Sequence, residues 1–226
     1  MTFPDDVTIA GRELVVELRA LLLELNERDN DLATIERVTE TVREARAAIT
    51  GPRRPRWYER GLEPDGRSAR EARQHFNEHA LYRGEQHAFA PPMRTETATE
   101  TDGRRVIKGY AHCTSLYEGP PGGVHDGYVA GLFDDVLGSA QSLIEGPTGL
   151  TGTLTVRYRK LTPLDTDLVF TAWVDKVAGR RIHARATCHA GPTLTAEAEI
   201  LFVRVDMADI AGRAAQQRAS HEGPGR

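Results

Sequence analysis

Alternating apolar and polar positions dominate the second half of the chain and predict β-strands. Four segments show this period of two: residues 150–160, 167–177, 181–189 and 193–205. Such alternation is typical of a sheet with one covered face. The breaks around Gly179 and Gly191 are short enough for antiparallel hairpins, and a Thr-Asp-Gly turn at 101–103 predicts another hairpin. Five or six antiparallel strands are therefore expected.

One long apolar helix is predicted inside this strand order, at residues 127–144. Its apolar positions recur three or four residues apart and are expected to face the sheet. They are Val129, Leu132, Phe133, Val136, Leu137, Ala140, Leu143 and Ile144. A helix lying across an antiparallel sheet gives an α+β fold.

The N-terminal part of the chain predicts two further helices, at about residues 12–28 and 31–50. Asn30 or Asp31 is the candidate N-cap of the second, and Gly51-Pro52 is expected to end it. The two helices would form an αα-hairpin with an apolar seam. We expect this hairpin to pack on the main domain or on its copy in a dimer.

Changes in composition divide the chain into four parts. We predict a helical hairpin extension at residues 1–51, a charged linker at 52–86, the strand-rich domain at 87–206 and a flexible tail at 207–226. The linker contains an arginine-rich cluster that could contact a phosphate or a partner, or act as a lid. The alternative, which we favour, is that the segment has no binding role and is a solvated linker with one helical turn. The cluster consists of Arg53, Arg54, Arg56, Trp57 and Tyr58.

Charge and composition exclude several classes of function. The 226 residues carry a formal net charge of -4, so nucleic acid is not expected as a partner. The longest apolar run is too short and too charged to span a membrane, and the N-terminus does not resemble a signal peptide. Cys113 and Cys188 lack metal-ligand spacing and are expected to be reduced thiols. No metal or redox cofactor is expected, and we predict a cytoplasmic location.

The predicted central helix carries an acid on a stripe of small residues. Asp134 shares this stripe with Gly127, Ala130, Gly131, Gly138 and Gln141. Glycine costs about 1 kcal/mol per residue in a helix relative to alanine, so a close approach of a ligand, helix or second chain is expected there. Asp134 would then be partly desolvated. The alternative is an ordinary solvated aspartate, and Asp135 is expected to point further outward.

The start of this helix is the second candidate site. The loop "GPPGG" at residues 119–123 leads into His125 and Asp126. We expect free backbone N–H groups at Gly127 and Tyr128, which would suit the oxygen of a polarised carbonyl. His125 is either a structural hydrogen-bonding group or an acid–base residue, and Asp126 is a candidate N-cap.

These segments resemble the PaaI and THEM4-like group of hotdog-fold acyl-CoA thioesterases. The resemblance covers about residues 87–205 and lies in "YEGPPGGVHDGYVAGLFDDVLG", "TGTLTVRYRKLTPL", "AGRRIHARATCHAG" and "AEAEILFV". The group has an aspartate nine residues after the histidine, which is Asp134 here, and a threonine seven residues before a tyrosine, which is Thr151. The chain departs from the pattern at Asp126, where the group has glycine.

The resemblance implies a hotdog fold, with the sheet wrapped around the helix, and a homodimer or dimer of dimers with active sites at the interface. It implies hydrolysis of acyl-CoA to a free acid and CoA. Asp134 would be general base or nucleophile, the Gly127 N–H would hold the carbonyl, and Thr151 would orient the carboxylate or water. His125 would position the loop or the substrate. Candidate substrate-binding residues are Asp126 and Tyr128, with Arg157, Arg159, Lys160, Arg180 and Arg181 for the CoA phosphates.

Two other functions remain open at this point. The chain could be a non-catalytic acyl-CoA-binding or regulatory hotdog protein, with Asp126 opposing the negative charge that develops during hydrolysis. It could also be a hotdog hydratase or dehydratase. That arrangement pairs an aspartate with a histidine on the helix, and this helix has no histidine after His125.

Overall fold

The computed structural model describes residues 6–52 and 76–206, together with residues 212, 213 and 216. The arginine-rich cluster of the linker therefore lies outside the described residues, as does most of the predicted flexible tail. Helices α1 (Asp6–Glu27) and α2 (Leu32–Ala48) come first, as the apolar periodicity predicts. The Asp31 side chain caps α2 by accepting from the Thr34 N–H over 2.8 Å.

Among the described residues, six antiparallel strands form one sheet in the order β1-β2-β4-β5-β6-β3. The strands are β1 (Arg94–Thr99), β2 (Arg105–His112), β3 (Gly149–Tyr158), β4 (Asp167–Ala178), β5 (Arg181–Ala190) and β6 (Thr193–Arg204). The central helix (Asp126–Ala140) lies between β2 and β3 in the chain and continues into a 3₁₀ turn (Gln141–Leu143). The predicted α+β fold is confirmed.

The core lies between one face of the sheet and the apolar face of the central helix. Six of the eight helix positions predicted to face the sheet are buried, and Leu143 and Ile144 at the end are partly buried against the same core. The sheet contributes alternate residues, among them Phe170 and Phe202. The rings of Phe133 and Phe170 meet edge to face, with centroids 5.1 Å apart. The period of two therefore reports the covered face correctly.

The hairpins form where the sequence offers residues for tight turns. Gly179 and Gly191 adopt φ values of 59° and 55°, in the left-handed region where glycine has no steric penalty. Each belongs to a connection of two residues, between β4 and β5 and between β5 and β6. These short turns fix the register of the three central strands.

The two N-terminal helices differ in how they pack. Val15 of α1 is buried, at 8% exposure. No side chain of α2 is buried among the described residues, and Leu32, Ile35, Val42 and Ile49 are 40–74% exposed. Within the described residues the expected apolar seam is therefore not closed, because these positions of α2 are exposed.

Residues 76–93 lie between α1 and the central helix and are packed rather than solvated. Arg19 of α1 donates to the carbonyl oxygens of Gly84 and His87 over 2.9 and 2.8 Å. Arg12 of α1 forms ion pairs with Glu78 and Glu85. The part of the predicted linker that the structure describes is thus tied to α1, while the predicted domain boundaries stay predictions.

Candidate active site

His125 itself caps the central helix. Its Nδ1 accepts a hydrogen bond from the Gly127 N–H over 3.0 Å, and its carbonyl oxygen accepts from the Tyr128 N–H over 2.8 Å. The expectation of free N–H groups at Gly127 and Tyr128 is therefore wrong. Asp126 is the first residue of the helix rather than its cap. The reason is that an imidazole at this position can reach back to the first turn, as a shorter capping side chain would.

The loop before the helix and the end of β3 hold this helix start in place. A Cβ on Gly119 would lie 2.6 Å from the His125 Cα, so the loop needs glycine to pass this close. The Tyr158 hydroxyl donates to the carbonyl oxygen of Asp126 over 2.8 Å. His125 and Asp126 nevertheless remain exposed to solvent. The N-terminus of the central helix is thus held in place by its neighbours and accessible to solvent.

Asp134 and Thr151 come together, although they are 17 positions apart in the chain. The Thr151 hydroxyl donates to Oδ1 of the half-buried Asp134 carboxylate over 2.8 Å. Thr151 belongs to β3, which in the described part of the chain pairs with β6 alone and forms one edge of the sheet. The two candidates that the motif places in separate elements therefore meet at an open strand edge.

A tyrosine side chain covers part of the stripe of small residues on the central helix, which is called the glycine stripe below. A Cβ on Gly131 would lie 2.0 Å from the Tyr82 hydroxyl oxygen, so Tyr82 rests directly on the helix backbone. At Gly138 an added Cβ would meet nothing within 4 Å. The stripe thus has a covered half at Gly131 and an open half at Gly138, with Asp134 between them. Sequence reasoning missed Tyr82, which lies in the predicted linker.

The second aspartate of the helix has a different environment from the one expected. Asp135 forms an ion pair with Arg83, with Arg83 Nε 2.8 Å from Oδ2 and a terminal guanidinium nitrogen 2.9 Å from Oδ1. The two side chains are only 15% and 19% exposed. Burial raises the pKa of Asp135, and Arg83 opposes this rise. Asp135 therefore joins the helix to residues 76–93 instead of pointing into solvent.

Three tyrosines surround the first turns of the helix. The ring of Tyr128 meets those of Tyr82 and Tyr117 edge to face, with centroids 6.1 and 4.7 Å away. Burial raises the pKa of all three phenols, so each is protonated and able to donate near neutral pH. Tyr128, a candidate for substrate binding, thus packs within an aromatic cluster.

The five cationic candidates do not form one cluster in this chain. Arg157 pairs with Glu199 over 3.4 Å and Arg159 pairs with Glu197, beside Lys160 at one end of the sheet. Arg180 donates to the Arg204 carbonyl oxygen over 3.1 and 3.0 Å, beside Arg181 at the other end. The strand register separates the two groups by about 25 Å, at about 3.3 Å per residue. Within one chain, one phosphate therefore could not contact both groups.

The thiols and the acidic groups indicate nothing further at the site. Cys113 and Cys188 are both buried and unpaired. Burial, together with the neighbouring Cys188, raises the pKa of Cys113 to about 12. Within the described parts of the chain, no three His, Cys, Asp or Glu side chains gather as metal ligands. None of the helices described there is long and apolar enough to cross a membrane.

Comparison with known proteins gives two kinds of match, and no family model matches the chain. Acyl-coenzyme A thioesterase THEM4 of Xenopus laevis is 31% identical over 90 residues, which cover 39% of this chain and 40% of that protein. Acyl-coenzyme A thioesterase THEM4 of Mus musculus is 32% identical over 91 residues, which cover 39% of each. The chain thus spans about two fifths of the length of these curated relatives.

A solved structure matches over more of the chain. The crystal structure of a thioesterase superfamily protein is 28% identical, with a TM-score of 0.69, and covers 85% of this chain and 94% of that one. Residues 87–226 make up less than two thirds of the chain, so this similarity extends into the N-terminal region. The fold is therefore the hotdog fold of thioesterase superfamily proteins, and the resemblance to hotdog-fold acyl-CoA thioesterases is confirmed.

Proposed function

We propose that this protein hydrolyses acyl-CoA thioesters to a free acid and CoA. The observation that carries the proposal is the 2.8 Å hydrogen bond that joins Thr151 to Asp134, beside the open half of a glycine stripe. The relatives named acyl-coenzyme A thioesterase support this substrate class. The chemistry requires one carboxylate and polar donors, all of which the chain supplies.

Asp134 is the proposed reacting carboxylate. In one route it removes a proton from water, which attacks the thioester carbon and displaces CoA, and the proton passes to the CoA sulfur. In the other route the carboxylate attacks the thioester carbon itself, displaces CoA thiolate and forms a mixed anhydride, which water then cleaves to the free acid and the regenerated carboxylate. Thr151 donates to Oδ1, which fixes the plane of the carboxylate and leaves Oδ2 for the water or the acyl carbon. Thr151 is thus a positioning residue in both routes.

The thioester carbonyl is proposed to sit at the start of a central helix. Since His125 Nδ1 accepts from the Gly127 N–H, the neutral imidazole carries its proton on Nε2. That Nε2–H is exposed and can donate to the carbonyl oxygen. The helix dipole favours negative charge at this end.

A complete site is proposed to require two copies of the chain. Gly127 and Asp134 are seven residues apart, which is about 10 Å along a helix. One thioester carbon cannot contact both groups of the same helix, because general-base attack needs hydrogen-bond reach. The Asp134 of one copy therefore works with the helix start of the other. A homodimer, or a dimer of such dimers, brings them together, and α2 is proposed to bury its apolar face in the same assembly.

The cations at the end of β3 are the proposed contacts for the CoA phosphates. Arg159 and Lys160 follow directly after Tyr158, whose hydroxyl bonds to the helix start. A phosphate would compete with Glu197 for Arg159, which is an exposed pair of small net energy. Roles for Arg180 and Arg181 at the other end of the sheet stay predictions. We also propose a cytoplasmic location, which the two unpaired thiols favour.

The test is hydrolysis of an acyl-CoA series by the wild type and by Asp134→Asn. The amide cannot act as base or as effective nucleophile, so kcat is expected to fall by 10²–10⁴-fold. Asp167→Asn is the matched control, because this carboxylate is 97% exposed on another element, and its rate should equal that of the wild type. Equal rates for Asp134→Asn and the wild type would remove Asp134 from the mechanism.

A second candidate function is acyl-CoA binding without turnover. Two observations favour it: an exposed carboxylate, Asp126, lies beside the proposed carbonyl site, and the Gly127 N–H is already engaged by His125. Tight binding of acyl-CoA with no hydrolysis by the wild type would support this function. Turnover gained by Asp126→Gly would then identify the carboxylate as the cause.

A further inference from the structure

Tyr82 occupies the stripe that the proposed substrate needs. Its hydroxyl oxygen lies within 2.0 Å of the place where a Gly131 Cβ would stand. Gly131 precedes Asp134 by three residues, which is less than one helical turn and about 4.5 Å along the axis. The phenol is close enough to Asp134 and Asp135 for both carboxylates to act on its pKa. Tyr82 therefore stands beside the carboxylate on the face that a substrate would approach.

The position of Tyr82 is fixed from several sides. The neighbouring Arg83 pairs with Asp135 on the helix, and the Met93 N–H donates to the Tyr82 carbonyl oxygen over 3.0 Å. Its ring rests on that of Tyr128. Arg19 of α1 holds the following residues through the Gly84 carbonyl oxygen over 2.9 Å. These contacts hold Tyr82 against the central helix.

We propose that Tyr82 is a specificity-determining residue, whose ring covers the stripe at Gly131 and restricts the site to compact acyl groups. This inference rests on the proposed thioester hydrolysis. Asp134 lies between the closed half of the stripe and the open half at Gly138. Within the stripe, an acyl group at Asp134 therefore has only the open half to lie along, and this smaller area favours compact acyl groups. Removing the ring would open the stripe on both sides of the carboxylate.

The experiment compares acetyl-, hexanoyl-, dodecanoyl- and palmitoyl-CoA as substrates of the wild type, Tyr82→Ala and Tyr82→Phe. For Tyr82→Ala, the ratio of kcat/KM for dodecanoyl-CoA to that for acetyl-CoA is expected to rise at least about tenfold, which is the scale of discrimination by a hydrophobic wall. Tyr82→Phe keeps the ring, so its ratio should stay close to that of the wild type. Tyr110→Ala is the control, because Tyr110 lies on β2 and bonds to Glu96.

The outcomes separate this inference from the proposed function. No hydrolysis of any acyl-CoA by the wild type would overturn both. Hydrolysis by the wild type with the same length preference in Tyr82→Ala would overturn only the role of Tyr82. If Tyr82→Ala does not fold, Tyr82→Leu replaces it, since leucine retains apolar contact with Tyr128 and lacks the part of the ring over Gly131. An unchanged ratio in Tyr82→Leu is equally decisive against the inference.

Discussion

At the scale of single residues, the two adjacent aspartates of the central helix have opposite environments. Asp134 is half-buried, bonds to one hydroxyl and stands beside an open face. Asp135 is largely buried against an arginine that bonds to both of its carboxylate oxygens. A carboxylate with a free oxygen can react, whereas one held by a guanidinium is neutralised and fixed. The helix therefore uses one aspartate for the proposed chemistry and the other for structure.

The buried ion pair gives a prediction about stability and pH. Arg83→Met is expected to lower the free energy of unfolding by about 2–3 kcal/mol at pH 7.5, because it leaves a buried carboxylate without its cation. The loss is expected to shrink at pH 4.5. Without Arg83 the folded-state pKa of Asp135, already raised by burial, rises further above its ordinary value of 3.8. Stability from such a group is fully present below the unfolded pKa and is lost as the pH rises through the folded one.

Urea unfolding of the wild type and Arg83→Met at both pH values measures this effect. Arg43→Met is the control, because the Arg43–Glu40 pair is more than 60% exposed on both sides and should contribute little at either pH. A deficit of equal size at pH 4.5 and 7.5 would contradict the assignment to Asp135 ionisation.

At the scale of elements, one glutamine joins the end of the central helix to the start of β3. Gln141 is 6% exposed, accepts from the Gly149 N–H over 2.6 Å and donates to the Gly149 carbonyl oxygen over 3.2 Å. Gly149 precedes Thr151 by two residues. The glutamine thus fixes the position of β3 relative to the central helix. It thereby also fixes where Thr151 contacts Asp134.

Gln141→Leu is therefore expected to affect both stability and the site. It leaves two backbone groups of Gly149 without partners, which costs about 1–3 kcal/mol in the free energy of unfolding. If hydrolysis is measurable, kcat should fall more than KM rises, since the contact that orients Asp134 is loosened. Ser142→Ala is the control, because this exposed hydroxyl bonds to the Ser139 carbonyl oxygen and not to β3. Unchanged stability in Gln141→Leu would show that the connection is dispensable.

The sequence predicts the helices and strands in which apolar residues recur at a regular spacing. Burial alternates along β4, β5 and β6 as the apolar residues do, and the helix buries the predicted face. The contact between Asp134 and Thr151 could be predicted only through a motif of known spacing. The contacts of Tyr82 and Arg83 with the helix could not be predicted. They depend on how a non-repeating segment, about 50 residues earlier in the chain, folds back onto the helix.

At the scale of the whole molecule, two surfaces are left uncovered among the residues that the structure describes. The first is the apolar face of α2, and the second is β3, a sheet edge on which Leu150 and Tyr158 are 45% and 43% exposed. An open edge of ten residues is a template for pairing with another strand. Because Thr151 lies on this edge, pairing β3 with its copy would place two sites at one interface, as the proposed mechanism requires.

Two glutamates on this edge test the pairing. Thr153 and Thr155 are exposed and lie near the middle of β3, so a two-fold pairing would bring four new carboxylates together. Thr153→Glu combined with Thr155→Glu is expected to give a monomer by light scattering after gel filtration. Hydrolysis should be lost with the dimer, because Asp134 would lack the helix start of a second copy. Thr95→Glu combined with Thr97→Glu makes the same change on β1, the opposite edge, and should keep both the dimer and the activity. A β3 variant that stays dimeric and active would mean that the copies meet elsewhere.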